Sequence, residues 1–244
     1  MALGEKGYHI LNNNCEHFAN ECYCGERFSS QTDGVRALFR NMPLIEVYVA
    51  PIPSDGEIKK VSHLQRQAEM DAVNNPVVKR EKYFVWKLLQ YALERSFGKK
   101  FTDFTIKKSG SGKWVCDKCE FSLSHSDGVV AVAVSKAPVG VDIEKIASPK
   151  MDISKEILSA SELDEYGVLT DEEKVEFVIR AWTKKESLFK RQNEKTISRE
   201  DFRNLNVPVF SKIVCVGEKE YSLSVATDNI DKVKLHENID LLKV

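Results

Sequence analysis

The stretch from Trp182 to Lys190 carries a carboxylate, Glu186, four positions before a lysine, Lys190. It ends a run from Asp171 in which Val175, Val178, Trp182 and Phe189 recur at three, four and seven residues, the period of a helix with one buried face. Asp171, Glu172 and Glu173 crowd the start of that helix and Lys184, Lys185 and Lys190 its end, as a helix dipole favours. Trp182, Glu186 and Lys190 are spaced by four, so the carboxylate and the ammonium project close together above a tryptophan. Taken alone, such a pair is an ordinary surface ion pair that contributes little.

A second group stands upstream, from Val139 to Glu144. Strict alternation marks a strand: Val139, Val141 and Ile143 fall on one face, and Asp142 and Glu144 on the other, roughly 7 Å apart at about 3.3 Å per residue. Alone, this is equally a solvated strand face. Two carboxylates held side by side nevertheless repel unless a cation sits between them. With Glu186 as a third member, the set resembles an oxygen-ligand site for a hard cation with positions left open for phosphate oxygens, as magnesium binds.

The two motifs, which begin 43 residues apart, closely resemble the signature of the 4'-phosphopantetheinyl transferases of the longer, surfactin-synthetase-activating type. Phe121 to Ser126 resembles that family's Ser-His-Ser segment, and Gly112-Lys113 resembles its Gly-Lys-Pro turn with Trp114 in place of the proline. The resemblance covers roughly residues 43–244. It implies an α/β (α+β) fold of two similar lobes related by a pseudo-twofold axis, 42–138 and 139–244, with the site between them. It also implies an enzyme that moves the 4'-phosphopantetheine arm of coenzyme A to a serine of an acyl, peptidyl or aryl carrier protein, releasing 3',5'-ADP. On this resemblance Asp142, Glu144 and Glu186 hold Mg2+, with Mn2+ as the alternative ion. Glu186 is then the base and Lys190 the neutralising or proton-donating group. Lys113, Ser124 and His125 hold coenzyme A phosphates, joined by Lys87 on an earlier helix, with Arg66 and Lys79 as weaker candidates.

Composition agrees with such an enzyme and excludes other classes. A formal net charge of −1 over 244 residues leaves no electrostatic case for nucleic acid or an anionic membrane as the main partner. No apolar run approaches the roughly 18 residues of a spanning helix, and Met1 to Asn14 lacks a secretory apolar core. Six irregularly spaced cysteines read as reduced thiols, so a cytoplasmic monomer is expected. Cys116 and Cys119 could supply half a zinc site, but no second pair stands at a matching distance.

Residues 1–41 read differently. An asparagine cap at Asn13 or Asn14 places Cys15 in a helical first turn, where backbone amides favour the thiolate. The stretch Tyr8 to Gly25 resembles the end of a lecithin retinol acyltransferase-like domain, whose Asn-Cys-Glu-His-Phe motif carries the catalytic cysteine. That family's general-base histidine lies on an earlier strand, which this sequence starts too late to include. Two further function classes therefore stand beside the transferase: a cysteine-dependent acyltransferase or hydrolase using Cys15, and a non-catalytic carrier-binding module. His9 and His17 are badly placed to serve Cys15, so residues 1–41 are expected to be dispensable for phosphopantetheine transfer.

The elements that must position the site follow from period and punctuation. Leu44 to Val49 reads as a strand, Ile58 to Val73 as a helix, and Asn74-Asn75-Pro76 as a break. Val77 to Phe97 reads as a long helix with Tyr83, Trp86, Leu89, Leu93 and Phe97 on one stripe and Gly98 at its end. Phe104 to Ser135 turns to period two, and Val129 to Val134 is expected to pack centrally against Val139 to Ile143. Helices follow near Ile153 to Glu165 and Asp171 to Lys190. Two strands, Val207 to Val216 and Tyr221 to Ala226, then close the fold, with nothing assigned beyond Asn229.

Overall fold

Strand β5, Val129–Ser135, is buried at every position, as only a strand covered on both faces can be. Its neighbours explain how. β5 pairs antiparallel with β4, Glu120–Ser126, on one side and with β1, Ile45–Pro51, on the other. A short last strand, β9, Val233–His236, adds parallel to β1 and completes the order β4-β5-β1-β9. On one face of this sheet Val130, Val132, Val134, Tyr48 and Phe121 meet a helix; on the other Val129, Ala131, Ala133, Val47 and Val49 meet a second sheet. The second sheet has the order β6-β8-β7, all antiparallel, from Gly140–Lys145, Lys219–Ala226 and Phe210–Val216. Val139, Val141 and Ile143 do pack against β5, but face to face across two sheets and not as paired neighbours.

This computed structural model describes residues 44–110, 112–147, 153–192, 198–205 and 209–244. The chain divides into the units Met1–Pro43 and Leu44–Val244, and the description below concerns the second. His9, Cys15 and His17 lie outside the described residues. The described part is mixed α/β, with no helix long and apolar enough to cross a membrane.

The helix on the first sheet is α2, Pro76–Phe97. Asn75 caps it by accepting from the Val77 amide at 2.9 Å, Pro76 opens its first turn, and Gly98 ends it at φ 62°. Its buried face is Phe84, Val85, Trp86, Leu88, Leu89, Ala92 and Leu93. Before it, only Leu64–Asp71 is helical (α1), so the helix read from Ile58 begins six residues late. His63 caps that helix, and its ring lies 5.1 Å from Trp86 and 5.4 Å from Trp114. Two short strands, β2 at Ile106–Lys108 and β3 at Trp114–Cys116, form a separate hairpin.

After β6, the helices α3, Ser154–Ile157, and α4, Ala160–Gly167, lead to the long helix α5, Asp171–Gln192. A further helix, α6, Arg199–Asn204, precedes β7. The sequence groups Lys185 with Lys184 and Lys190 as cations at the end of α5. Instead it is fully buried, donating to Ile157 O, Glu162 Oε2 and Arg203 O and so tying α3, α4 and α6 to α5. Trp182 is half-buried, its ring centroid 5.8 Å from that of Phe202. The residues beyond Asn229, left blank by period, return to the first sheet as β9. Leu241 there is 1% exposed within the core of α2.

Candidate active site

The edge strands β4 and β6 lie side by side, yet no backbone ladder joins them. Serines do so instead. Ser122 Oγ accepts from Val141 N at 3.0 Å, Ser124 Oγ from Ile143 N at 3.2 Å and Ser126 Oγ from Lys145 N at 3.2 Å. The constant offset of 19 residues means that the strands run in parallel and in register. Two of these hydroxyls also donate to the acidic face of β6: Ser124 to Asp142 Oδ1 at 2.8 Å and Ser126 to Glu144 Oε2 at 2.7 Å.

Helix α5 brings the remaining groups. It lies on β6 so closely that a Cβ on Gly140 would sit 1.9 Å from Ser187 O and 2.6 Å from Arg191 N, which explains glycine before the acidic pair. Small polar residues keep the contact tight, with Thr183 Oγ1 2.8 Å from Ser222 Oγ and 3.2 Å from Ser224 Oγ. Lys190 Nζ then reaches Asp142 Oδ1 at 2.6 Å and Ser124 Oγ at 3.2 Å. Lys113 donates to Lys190 O at 2.8 Å, a cation on the carbonyl end of the helix, as the dipole favours.

The electrostatics record how crowded the acids are. Burial raises Glu186 above the usual carboxylate range and the charge of Asp142 adds to it, with Lys190 opposing. Burial likewise raises Glu144, against the Ser126 hydrogen bond, and the charges of Asp142 and Glu186 push it further. Asp142 is 3% exposed, and its second oxygen, Oδ2, is buried without a hydrogen-bond partner. Glu144 and Glu186, both raised by burial and by the charge of Asp142, have one nearby ammonium opposing them, Lys190.

Among the described residues, no three His, Cys, Asp or Glu side chains are drawn to a common point as metal ligands. The expected metal set is therefore present as neighbours and not as a closed cage. Lys190 meets the Asp142 charge in the place a cation would take. The donors nevertheless fit a hard cation: all are carboxylate oxygens, they repel, and Asp142 Oδ2 is an unanswered acceptor.

Asp142, Glu144, Glu186, Lys190 and Ser124 thus come together, and Lys113 stands at the last turn of the same helix. His125 points to the opposite face of β4, toward α2, where its Nδ1 lies 3.2 Å from Glu81 Oε2. Burial and the nearby charges of Lys190, Lys82 and Arg66 hold the His125 imidazolium below its ordinary pKa. Arg66 therefore belongs to this neighbourhood. Lys87 is placed elsewhere: its ammonium donates to Leu241 O at 2.6 Å, taken by the returning C-terminal segment. Lys79 faces Asp71 at 3.8 Å. Cys116 and Cys119 are free thiols, one half-buried and one buried. A cavity of about 840 Å³ opens between α4, α5 and α6, and none of the expected site residues line it.

Period and charge did not single out Ser126, Glu81 or Lys82. The signal for Ser126 was on the page as alternate serines at 122, 124 and 126, which share one strand face.

Comparison with known proteins agrees with this geometry. The profile of the 4'-phosphopantetheinyl transferase superfamily matches residues 138–224, which span β6, α5 and most of β8. The chain is 31% identical over 71 residues to a 4'-phosphopantetheinyl transferase of Bacillus subtilis, covering 29% of this chain and 32% of that protein. It is 31% identical over 97 residues to the 4'-phosphopantetheinyl transferase gsp of Aneurinibacillus migulanus, covering 40% and 35%. It is 28% identical over 106 residues to the 4'-phosphopantetheinyl transferase psf-1 of Bacillus pumilus, covering 42% and 46%. The matched region spans less than half the length of each relative. The matched region, residues 138–224, contains the acidic strand and the helix that carries Glu186 and Lys190, and it is this part of the chain that is similar to the 4'-phosphopantetheinyl transferase superfamily.

Proposed function

We propose that the protein transfers the 4'-phosphopantetheine arm of coenzyme A to a serine hydroxyl of an acyl, peptidyl or aryl carrier protein, releasing 3',5'-ADP. The observation that carries this reading is Asp142, paired with Lys190 yet keeping Oδ2 buried and unpartnered, with the charges of Glu144 and Glu186 acting on the same group of side chains. Asp142, Glu144 and Glu186 would hold Mg2+, or Mn2+ in its place, which when bound neutralises pyrophosphate charge and polarises the phosphorus.

The chain's own residues supply the rest. In the reaction the serine oxygen forms a bond to phosphorus and the bond to the 3',5'-ADP oxygen breaks, so negative charge grows on phosphate oxygens and on the leaving group. Lys190, 29% exposed on the solvent side of Asp142, is placed to meet that charge. His125, held toward its neutral form by burial and nearby cations, can donate a ring N–H to a further phosphate group, and Lys113 adds a cation along the end of α5, whereas Arg66 is buried and already paired with Glu69. The serine proton goes to Glu186, whose affinity for protons burial has already raised. Ser124, read from sequence as a phosphate contact, has its hydroxyl hydrogen on Asp142, so we assign it first to the carboxylate. Residues 42–138 and 139–244 form the two lobes on this reading, with β9 crossing back to the first, and 1–41 stand outside the transferase unit.

Intact-mass measurement of purified apo-carrier proteins incubated with the protein, coenzyme A and Mg2+ tests the reading. The expected result is one phosphopantetheine added per carrier and an equal amount of 3',5'-ADP. Unmodified acyl, peptidyl and aryl carriers alike would contradict it.

A further inference from the structure

The serine ladder between β4 and β6 does two jobs at once, and the second is separable. Each hydroxyl has one hydrogen to give. At Ser122 the described contacts comprise only the acceptor bond to Val141 N. At Ser126 the lone pair takes Lys145 N and the hydrogen goes to Glu144 Oε2 at 2.7 Å. Both ends of that bridge sit on β6, one on its backbone and one on its acidic side chain, so the hydroxyl fixes the carboxylate against the strand that carries it.

We infer that Ser126 is a positioning residue that presents Glu144 to the cation site, a role separate from joining the two sheets. The inference rests on the transferase reading of the three carboxylates. Glu144 is flanked by Asp142 and Glu186, whose charges would swing a free side chain outward to solvent. A hydrogen-bond donor on one oxygen holds it inward and leaves the other oxygen for a ligand. Outer partners of this kind typically change metal affinity by about 10- to 100-fold when removed. Ser122 supplies the internal control, since it joins the same strands without touching an acid.

Mn2+ titration of the full chain followed by electron paramagnetic resonance, with thermal unfolding of each variant, tests this without a carrier protein. Ser126→Ala is expected to weaken Mn2+ by at least about tenfold, while Ser126→Thr, which keeps the hydroxyl, stays within about threefold of the parent. Ser122→Ala is expected to lower the unfolding temperature by a similar amount to Ser126→Ala while leaving Mn2+ affinity within about threefold. Equal affinity for Mn2+ in Ser126→Ala, Ser122→Ala and the parent would overturn the positioning role and leave the cation site standing. A parent chain that binds no Mn2+ would overturn the cation site and this inference together.

Discussion

Two helices of 22 residues each, α2 and α5, cover the outer faces of the two sheets, and they do so by opposite means. Helix α2 presents Phe84, Trp86, Leu88, Leu89 and Leu93 to Tyr48, Val130, Val132 and Phe121. Helix α5 presents Thr183 and Ser187 to Gly140, Ser222 and Ser224. Large apolar side chains bury area and set the helix off the sheet. Small polar ones let backbone meet backbone, at the cost of hydrogen bonds that must all be satisfied. The first arrangement gives stability; the second places Glu186 and Lys190 over Asp142 with little slack. The contact of α2 with the first sheet is built for stability, and the contact of α5 with the second places the charges.

Truncation of a large side chain should therefore break the first helix by stability alone. Leu89→Ala, at a site with no exposure, is expected to cost about 3 to 4 kcal/mol in denaturant unfolding, while kcat of the folded fraction stays near the parent's. Gly140→Ala should act in the opposite proportion. The added methyl overlaps Ser187 O and lifts α5 from β6, with an expected loss of about 3 kcal/mol and a fall in turnover even where the protein remains folded. A Gly140→Ala protein with parental activity would show that the close approach does not place the site.

Much of this division was legible in the chain. The span of α5, the alternating face of β6 and the capped start and glycine end of α2 all follow from local pattern, because each is set by neighbours within a few residues. What pattern missed depends on distant partners. β9 is four residues long and is held by β1, which lies almost the whole described chain away, so nothing local marks it. Lys87 looked available beside its leucine pair until that same returning segment brought Leu241 O to it. Lys185 carried the charge of a surface residue, but three helices donate acceptors to it. The carboxylates were readable as a set and Ser124 as a member of the site, but the bonds by which Ser124 and Ser126 hold Asp142 and Glu144 join strands 18 residues apart, which no local pattern marks.

A milder change sharpens the comparison. Thr183→Val keeps the shape of the α5 contact and removes the hydroxyl shared with Ser222 and Ser224, so about 1 to 2 kcal/mol should be lost in urea unfolding. The same substitution on an apolar interface would cost little.

An effect confined to acid pH is expected at Glu69, in helix α1. Burial works against the charge of Glu69, but Lys82, Lys108 and Arg66 hold its carboxyl down at about 2, from 4.5. A carboxyl lowered by folding adds stability that is complete above 4.5 and is lost as pH falls toward 2. Glu69→Gln should thus flatten the fall in unfolding temperature across that window and leave its shape above pH 6 unchanged. An identical acid limb in both proteins would remove Glu69 from the cause.

The claim on which the rest depends is that Asp142, Glu144 and Glu186 act as one cation-holding, proton-accepting set. The most direct measurement is the rate of phosphopantetheine transfer to an apo-carrier by the parent chain and by Glu186→Gln, each with Mg2+ and with EDTA. The expected result is turnover by the parent only with the ion, and a loss on the order of a hundredfold or more in Glu186→Gln while it unfolds at the parental temperature. Full transfer by Glu186→Gln in EDTA would contradict both the cation and the base.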